Sequence, residues 1–144
     1  MEKIIAIKKR MTQILKGENV IPVTVLEFMT EAKESPFMQN LKEGDKVRVT
    51  SISKGRGFQG VVKRHGFHGG PKSHGQKDRL RSPGSIGATA PQRVIKGRKM
   101  GGHMGVQKVT VRNLFITRLV PDESMFMVKG AVPGRRGAKV EVRK

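Results

Sequence analysis

The 144-residue chain contains no cysteine, no tryptophan and no tyrosine. Without cysteine, disulfide frameworks and Cys-ligated zinc sites are excluded, and a reducing compartment fits. Six phenylalanines are the whole aromatic complement. That is too few for a platform stacking successive single-stranded bases, so recognition of phosphate and shape is favoured. Acids are scarce too: 11 Asp and Glu face 30 Lys and Arg, a formal charge of +19. Such self-repulsion works against a compact isolated fold. It calls for a polyanionic partner, nucleic acid first and an anionic membrane surface second. No apolar run approaches the length of a spanning helix. The start, Met1-Glu-Lys-Ile-Ile-Ala-Ile-Lys-Lys-Arg10, is too short in apolar residues for a secretory leader. Ile4, Ile5 and Ile7 are β-branched and Glu2 is acidic, so a β-strand is the better reading.

What is present falls into two textures. Residues 1–50 and 106–144 read as a β body. Short β-rich runs alternate with turn chemistry: Val20–Phe28, Asp45–Ile52, Lys108–Arg112, Leu114–Val120, Met125–Lys129 and Ala138–Val142. Gly17-Glu-Asn19 and Pro121-Asp-Glu-Ser124 supply turns between them. With the first strand, this gives six to eight strands and predicts a small barrel or sandwich. Helical periodicity is absent, and only Asp78–Arg81 allows a helical turn.

Residues 51–105 differ. They hold 13 of the 18 glycines and all four histidines. Twelve basic residues stand against one acid, Asp78, so this segment carries +11 of the +19. Its apolar content is too low to bury a core of its own. A loop this long inside a compact domain is normally functional or disordered. The expectation is a basic extension of the same domain that orders among phosphates. Glycine permits close approach of backbone to RNA, and Arg can hold phosphate bidentately.

Several enzyme-like motifs occur here, each with a plainer reading. Gly55-Arg-Gly-Phe-Gln-Gly60 matches the dinucleotide fingerprint, which needs a helix next. Val61-Val62 are β-branched and Gly66 follows soon, so the expectation is a tight turn leading into a basic strand. Gly66-Phe-His-Gly-Gly-Pro-Lys-Ser73 approaches a P-loop, but Pro71 removes a backbone N–H from the phosphate cradle. His65, His68, His74 and His103 lack carboxylate or thiolate help, so a contact to phosphate or a 2′-hydroxyl is preferred to a metal site. The serines near these histidines have no acid partner and no nucleophile elbow. The basic segment shows no amphipathic apolar face for a membrane surface.

A further pattern emerges when the chain is read continuously. Gly60-Val-Val-Lys-Arg64, Phe67, His74-Gly75 and Pro83-Gly-Ser-Ile-Gly87 come in order. Arg93-Val-Ile-Lys-Gly97, Lys99-Met100, Met104-Gly105, Val109-Thr110, Asn113-Leu114 and Val128-Lys-Gly-Ala-Val-Pro-Gly134 follow. Near the start stand Met11-Thr-Gln-Ile14 and Val20-Ile-Pro-Val-Thr-Val25. This series resembles the universal L-three family of the large ribosomal subunit, in its bacterial form. The resemblance implies a translation-protein-type β-barrel with a Gly/Arg/Lys-rich finger, about Ser53 to Gly105, running between rRNA helices. Its tip, about Gly84 to Arg93, would face the peptidyl transferase centre. The resemblance also implies early binding in subunit assembly and no chemistry by the protein itself. The chain departs from the family where only residues 29–44 fill a usually longer segment, where Arg10 replaces a glycine, and at a shortened tip, residues 88–93. Some relatives carry a methylated glutamine at the tip; Gln92 follows the proline rather than preceding it, so that modification does not transfer.

The expectation is therefore a mainly β, non-enzymatic constituent of the large ribosomal subunit, cytoplasmic and of bacterial type, with an organellar ribosome as the alternative. Its partners would be large-subunit rRNA and neighbouring ribosomal proteins, with no cofactor, metal, membrane or small-molecule substrate. The expected rRNA contacts are Lys54, Arg56, Lys63, Arg64, His68, Lys72, His74, Lys77, Arg79, Arg81, Arg93, Lys96, Arg98, Lys99 and His103. Arg135 and Arg136, in a turn before the last strand, add contacts from the body. The rival readings are a free nucleic-acid chaperone, a nucleotide-binding enzyme and a membrane-active cationic protein.

Overall fold

The computed structural model describes residues 3–29 and 40–144. Eight strands are present among them: β1 (Lys3–Lys16), β2 (Asn19–Phe28), β3 (Lys46–Ile52), β4 (Phe58–Gln59), β5 (Gly102–His103), β6 (Lys108–Val120), β7 (Met125–Lys129) and β8 (Lys139–Arg143). One short helix, α1 (Val61–His65), lies between β4 and β5. The chain divides into two compact units, Met1–Lys54 with Val106–Lys144, and Gly55–Gly105.

The first unit is a closed barrel in the order β1-β2-β7-β6-β3-β8, with β8 returning to β1 and every pairing antiparallel. Closure removes the open edges on which a strand-rich protein would otherwise aggregate. The period-2 alternation of the sequence sends one set of side chains inward. Ile4 and Ala6 of β1, Val47 and Val49 of β3, and Val140 and Val142 of β8 are all buried. Register places Ile4 beside Val142 and Ala6 beside Val140. Phe28 and Phe126 stack with centroids 4.5 Å apart. Fully burying such side chains is worth about 1.5–3 kcal/mol each.

Two loops follow their sequence chemistry. Gly17, at φ 61°, and Glu18 join β1 to β2 directly after the Lys16–Asn19 pair. Between β6 and β7, the Ser124 N–H donates to the Pro121 carbonyl at 2.9 Å.

One expected division is corrected. The sequence reads as separate strands over Lys108–Arg112 and Leu114–Val120, but β6 runs through both. Asn113 adopts φ 57°, and the pairing steps from Val49–Val111 to Val47–Leu114 around it. The strand absorbs an extra residue as a bulge instead of ending, and Asn tolerates the left-handed conformation this needs.

Candidate nucleic-acid interface

The second unit begins and ends in a small ladder. Phe58 pairs with His103 and Gln59 with Gly102. The Arg56 N–H donates to the Met104 carbonyl at 2.9 Å, and the Met104 N–H donates to the Gly57 carbonyl at 3.0 Å. After β4 the structure corrects the sequence reading: Val61–His65 forms α1, not a basic strand. Its local propensity is poor, and Gly60 supplies no side-chain cap. Long-range ties hold it. Arg64 Nη1 donates to the Met100 carbonyl at 2.9 Å, and His65 Nε2 lies 3.0 Å from the same oxygen. Gly66, at φ 73°, ends the helix in the left-handed region, and its N–H returns to the Val62 carbonyl at 3.0 Å.

This helix does not revive the dinucleotide reading. It has five residues and follows a two-residue antiparallel strand, not a strand of a parallel sheet. The P-loop look-alike, Gly66–Ser73, is followed by turns and bends rather than a helix. Among the described residues, no group of three or more His, Cys, Asp or Glu is placed to hold a metal. No helix among them is long and apolar enough to cross a membrane.

The cations are placed as follows. Lys54, Arg56, Lys63, His68, Lys72, His74, Lys77, Arg79, Arg81, Arg93, Lys96, Arg98, Lys99, His103, Arg135 and Arg136 are exposed, whereas Arg64 is half-buried. Arg64 therefore acts first as an internal brace. Arg98 has a similar second task, since its Nε donates to the Ile86 carbonyl at 2.7 Å. The ion pairs among the described residues are Lys9–Glu27, Arg143–Glu141 and Lys144–Asp45, all in the barrel unit. None involves a cation of Gly55–Gly105. Val61 is the one buried apolar residue there, while Phe58, Leu80, Ile86, Val94, Ile95 and Met100 are exposed. The unit is thus a dense cationic surface on a backbone held mainly by turns.

In the barrel unit, a residue the sequence reading passed over organises the other arginine pair. Lys8 is 9% exposed. Its Nζ donates to the Val132 carbonyl at 2.5 Å and the Gly134 carbonyl at 2.9 Å. Its backbone closes the same segment: the Lys8 N–H donates to the Ala138 carbonyl at 3.0 Å, and the Gly137 N–H donates to the Lys8 carbonyl at 2.7 Å. Burial, and then the charge of Lys54, lower the Lys8 pKa from its ordinary value. Arg135 and Arg136 stand exposed on the turn so fastened. The signal was available: Ile4, Ala6 and Lys8 share the inward parity of β1. Gly134 contributes close approach, for at φ 95° a Cβ there would lie 2.9 Å from Ala138 Cβ and 3.0 Å from Ser51 Oγ.

Comparison with known proteins gives a consistent result. The family model described as Ribosomal protein L3 matches residues 8–124. The protein from Chlorobium limicola named Large ribosomal subunit protein uL3 is 45% identical over 127 residues, covering 80% of this chain and 61% of its own length. The protein of that name from Chlorobium phaeovibrioides is 52% identical over 107 residues, covering 74% of this chain and 51% of the relative. The one from Desulforapulum autotrophicum is 56% identical over 102 residues, covering 70% of this chain and 49% of the relative. The chain thus spans about half to three-fifths of the length of these relatives. With most of its residues inside the family match and a closed six-stranded barrel beneath them, the chain belongs to the ribosomal protein L3 family.

Proposed function

We propose that this chain is a structural constituent of the large ribosomal subunit and performs no catalysis. It binds large-subunit rRNA, supports its assembly and buttresses it near the peptidyl transferase centre, beside neighbouring ribosomal proteins in the cytoplasm. The observation that carries this reading is the contrast between the two units. Among the described residues, the Lys and Arg side chains of Gly55–Gly105 other than Arg64 are exposed and none is paired with an acid, while the ion pairs lie in the barrel unit. Family membership directs that charge towards rRNA.

In this reading Gly55–Gly105 is the basic extension, and its residues near Gly84 to Arg93 reach furthest inward. Arg and Lys neutralise phosphates that would repel one another as rRNA helices pack. The barrel adds Arg135 and Arg136. Contacts to phosphate fix position, and RNA shape supplies the specificity.

The test is a tagged chain expressed in its native cell, followed by a sucrose gradient and a high-salt wash. One copy retained per large subunit is expected. Loss from the ribosomal fractions would overturn the proposal and favour a free nucleic-acid chaperone.

A further inference from the structure

We propose that the Gly66–Gly84 loop holds one unstacked nucleobase of the bound RNA in a preformed cavity. The inference rests on the rRNA-binding reading above and names a site within it. The loop encloses an open cavity of about 450 Å³. That volume lies within the roughly 300–1,000 Å³ of small-ligand sites. Phe67, Pro71 and Pro83 give it apolar walls, and His68, Gln76 and Arg79 line it with polar groups. The Phe67 ring is half-buried and sits 6.1 Å from the ring of His65.

The cavity is built by close backbone approach. The Gly70 N–H lies 3.1 Å from both the Arg79 and Leu80 carbonyls. A Cβ on Gly69 would fall 2.0 Å from the Leu80 oxygen, and one on Gly70 would fall 2.7 Å from the Arg79 oxygen. Only glycine allows the two sides of the loop to meet. Ser82 braces the same place, its hydroxyl donating to the Arg79 carbonyl at 3.1 Å.

One atom in this loop is out of balance. Gln76 Nε2 is buried without a hydrogen-bond partner, the only such side-chain atom among the described residues of this unit. Buried polar groups are normally paired, so an unmet donor on a residue that lines the cavity points to a ligand acceptor. The walls narrow the class. A bare phosphate has no use for a phenylalanine and two prolines. A planar heterocycle does: it stacks on such faces and presents carbonyl or ring-nitrogen acceptors to an amide. No Asp or Glu lines the cavity, and exposed Arg79 and His68 suit the phosphate attached to the base. Proteins reading RNA sequence commonly capture bases from loops and bulges in this way. A single pocket also accords with so few aromatic residues.

The test uses the full chain bound to large-subunit rRNA at low salt. Dimethyl sulfate and carbodiimide report base edges, and ethylation interference reports phosphates. Wild type, Gln76→Leu and Phe67→Leu are compared. The expected result is one unpaired nucleotide protected by wild type and reactive with either variant, while the rest of the footprint persists. Affinity should fall by about 2–10-fold for Gln76→Leu, the effect of one hydrogen bond. Identical footprints for all three would overturn the pocket and leave the rRNA reading intact. So would interference at a phosphate with no base protected, or loss of the entire footprint in both variants. Failure of wild type to bind rRNA would overturn both readings.

Discussion

Replacing Lys8 by Met should loosen the turn that carries Arg135 and Arg136. Met keeps the stem that packs along β1 but removes the two donors. The carbonyls of Val132 and Gly134, now met at 2.5 and 2.9 Å, lose their partner. A hydrogen bond from a charged group contributes about 1.5–3 kcal/mol, and an orphaned buried acceptor costs about 1–3 kcal/mol. Against this, Met no longer carries an ammonium into a site where Lys8 is only 9% exposed. The net loss should be roughly 1–3 kcal/mol. With a urea slope of about 1–3 kcal/mol per M, the unfolding midpoint of the full chain should fall by about 1 M.

The pH dependence gives a second readout of the same side chain. Burial lowers the folded-state pKa of Lys8 below its unfolded value. The unfolded chain therefore holds more protons between those two values, and this group's contribution to stability rises with pH across that window. It is fully present above the unfolded value and lost as pH falls through the lowered one. The Met variant lacks that rise, so the gap between the two proteins should widen in alkali. An unchanged midpoint together with parallel pH profiles would refute the clamp and show that the turn holds itself.

Three further outcomes are expected. Phe126→Ala should destabilise the barrel by about 3–5 kcal/mol, measured by urea titration, because it empties the core and removes the stack on Phe28. Gly134→Ala should cost about 1–3 kcal/mol in the same assay, since φ 95° and the contacts with Ala138 and Ser51 leave no room for a Cβ. Arg81→Glu with Arg93→Glu should leave barrel circular dichroism unchanged yet impair subunit assembly; normal gradient profiles and translation rates would contradict the proposed role of these cations.

The barrel was legible because its determinants are local. Alternation in Val47 and Val49, or Val140 and Val142, states which face is buried before any partner is known. What escaped depends on distant groups. Val61–His65 carries a β-branched start and no cap, so its sequence argues against a helix; the Met100 carbonyl, far along the chain, decides the matter. Asn113 reads equally well as a break or a bulge until its pairing with β3 is seen. The cavity at Phe67 and Gln76 exists only because Gly69 and Gly70 meet Arg79 and Leu80. The exposure of most of the expected contact residues needed no such help, for charged side chains in a segment with one acid and little apolar surface stay in solvent, while their contact with rRNA is the proposal. Arg64 is the exception, turned inward to brace the helix.

This division follows from how each unit meets the cost of ordering. The barrel closes its hydrogen-bonded edges and buries apolar side chains from all six strands. Its acids also engage cations, as in Lys9–Glu27 and Lys144–Asp45. Gly55–Gly105 has one acid, one buried apolar residue and thirteen glycines, the residues that lose most conformational freedom on folding. Hydrophobic burial alone cannot offset that loss. Hydrogen bonds such as those from Arg64 and Arg98 to carbonyls add to that burial, and in the proposed role rRNA phosphates supply an electrostatic term that weakens as salt displaces it. In the proposed role, the same feature that leaves this segment short of buried apolar surface suits it to fill space between polyanionic helices.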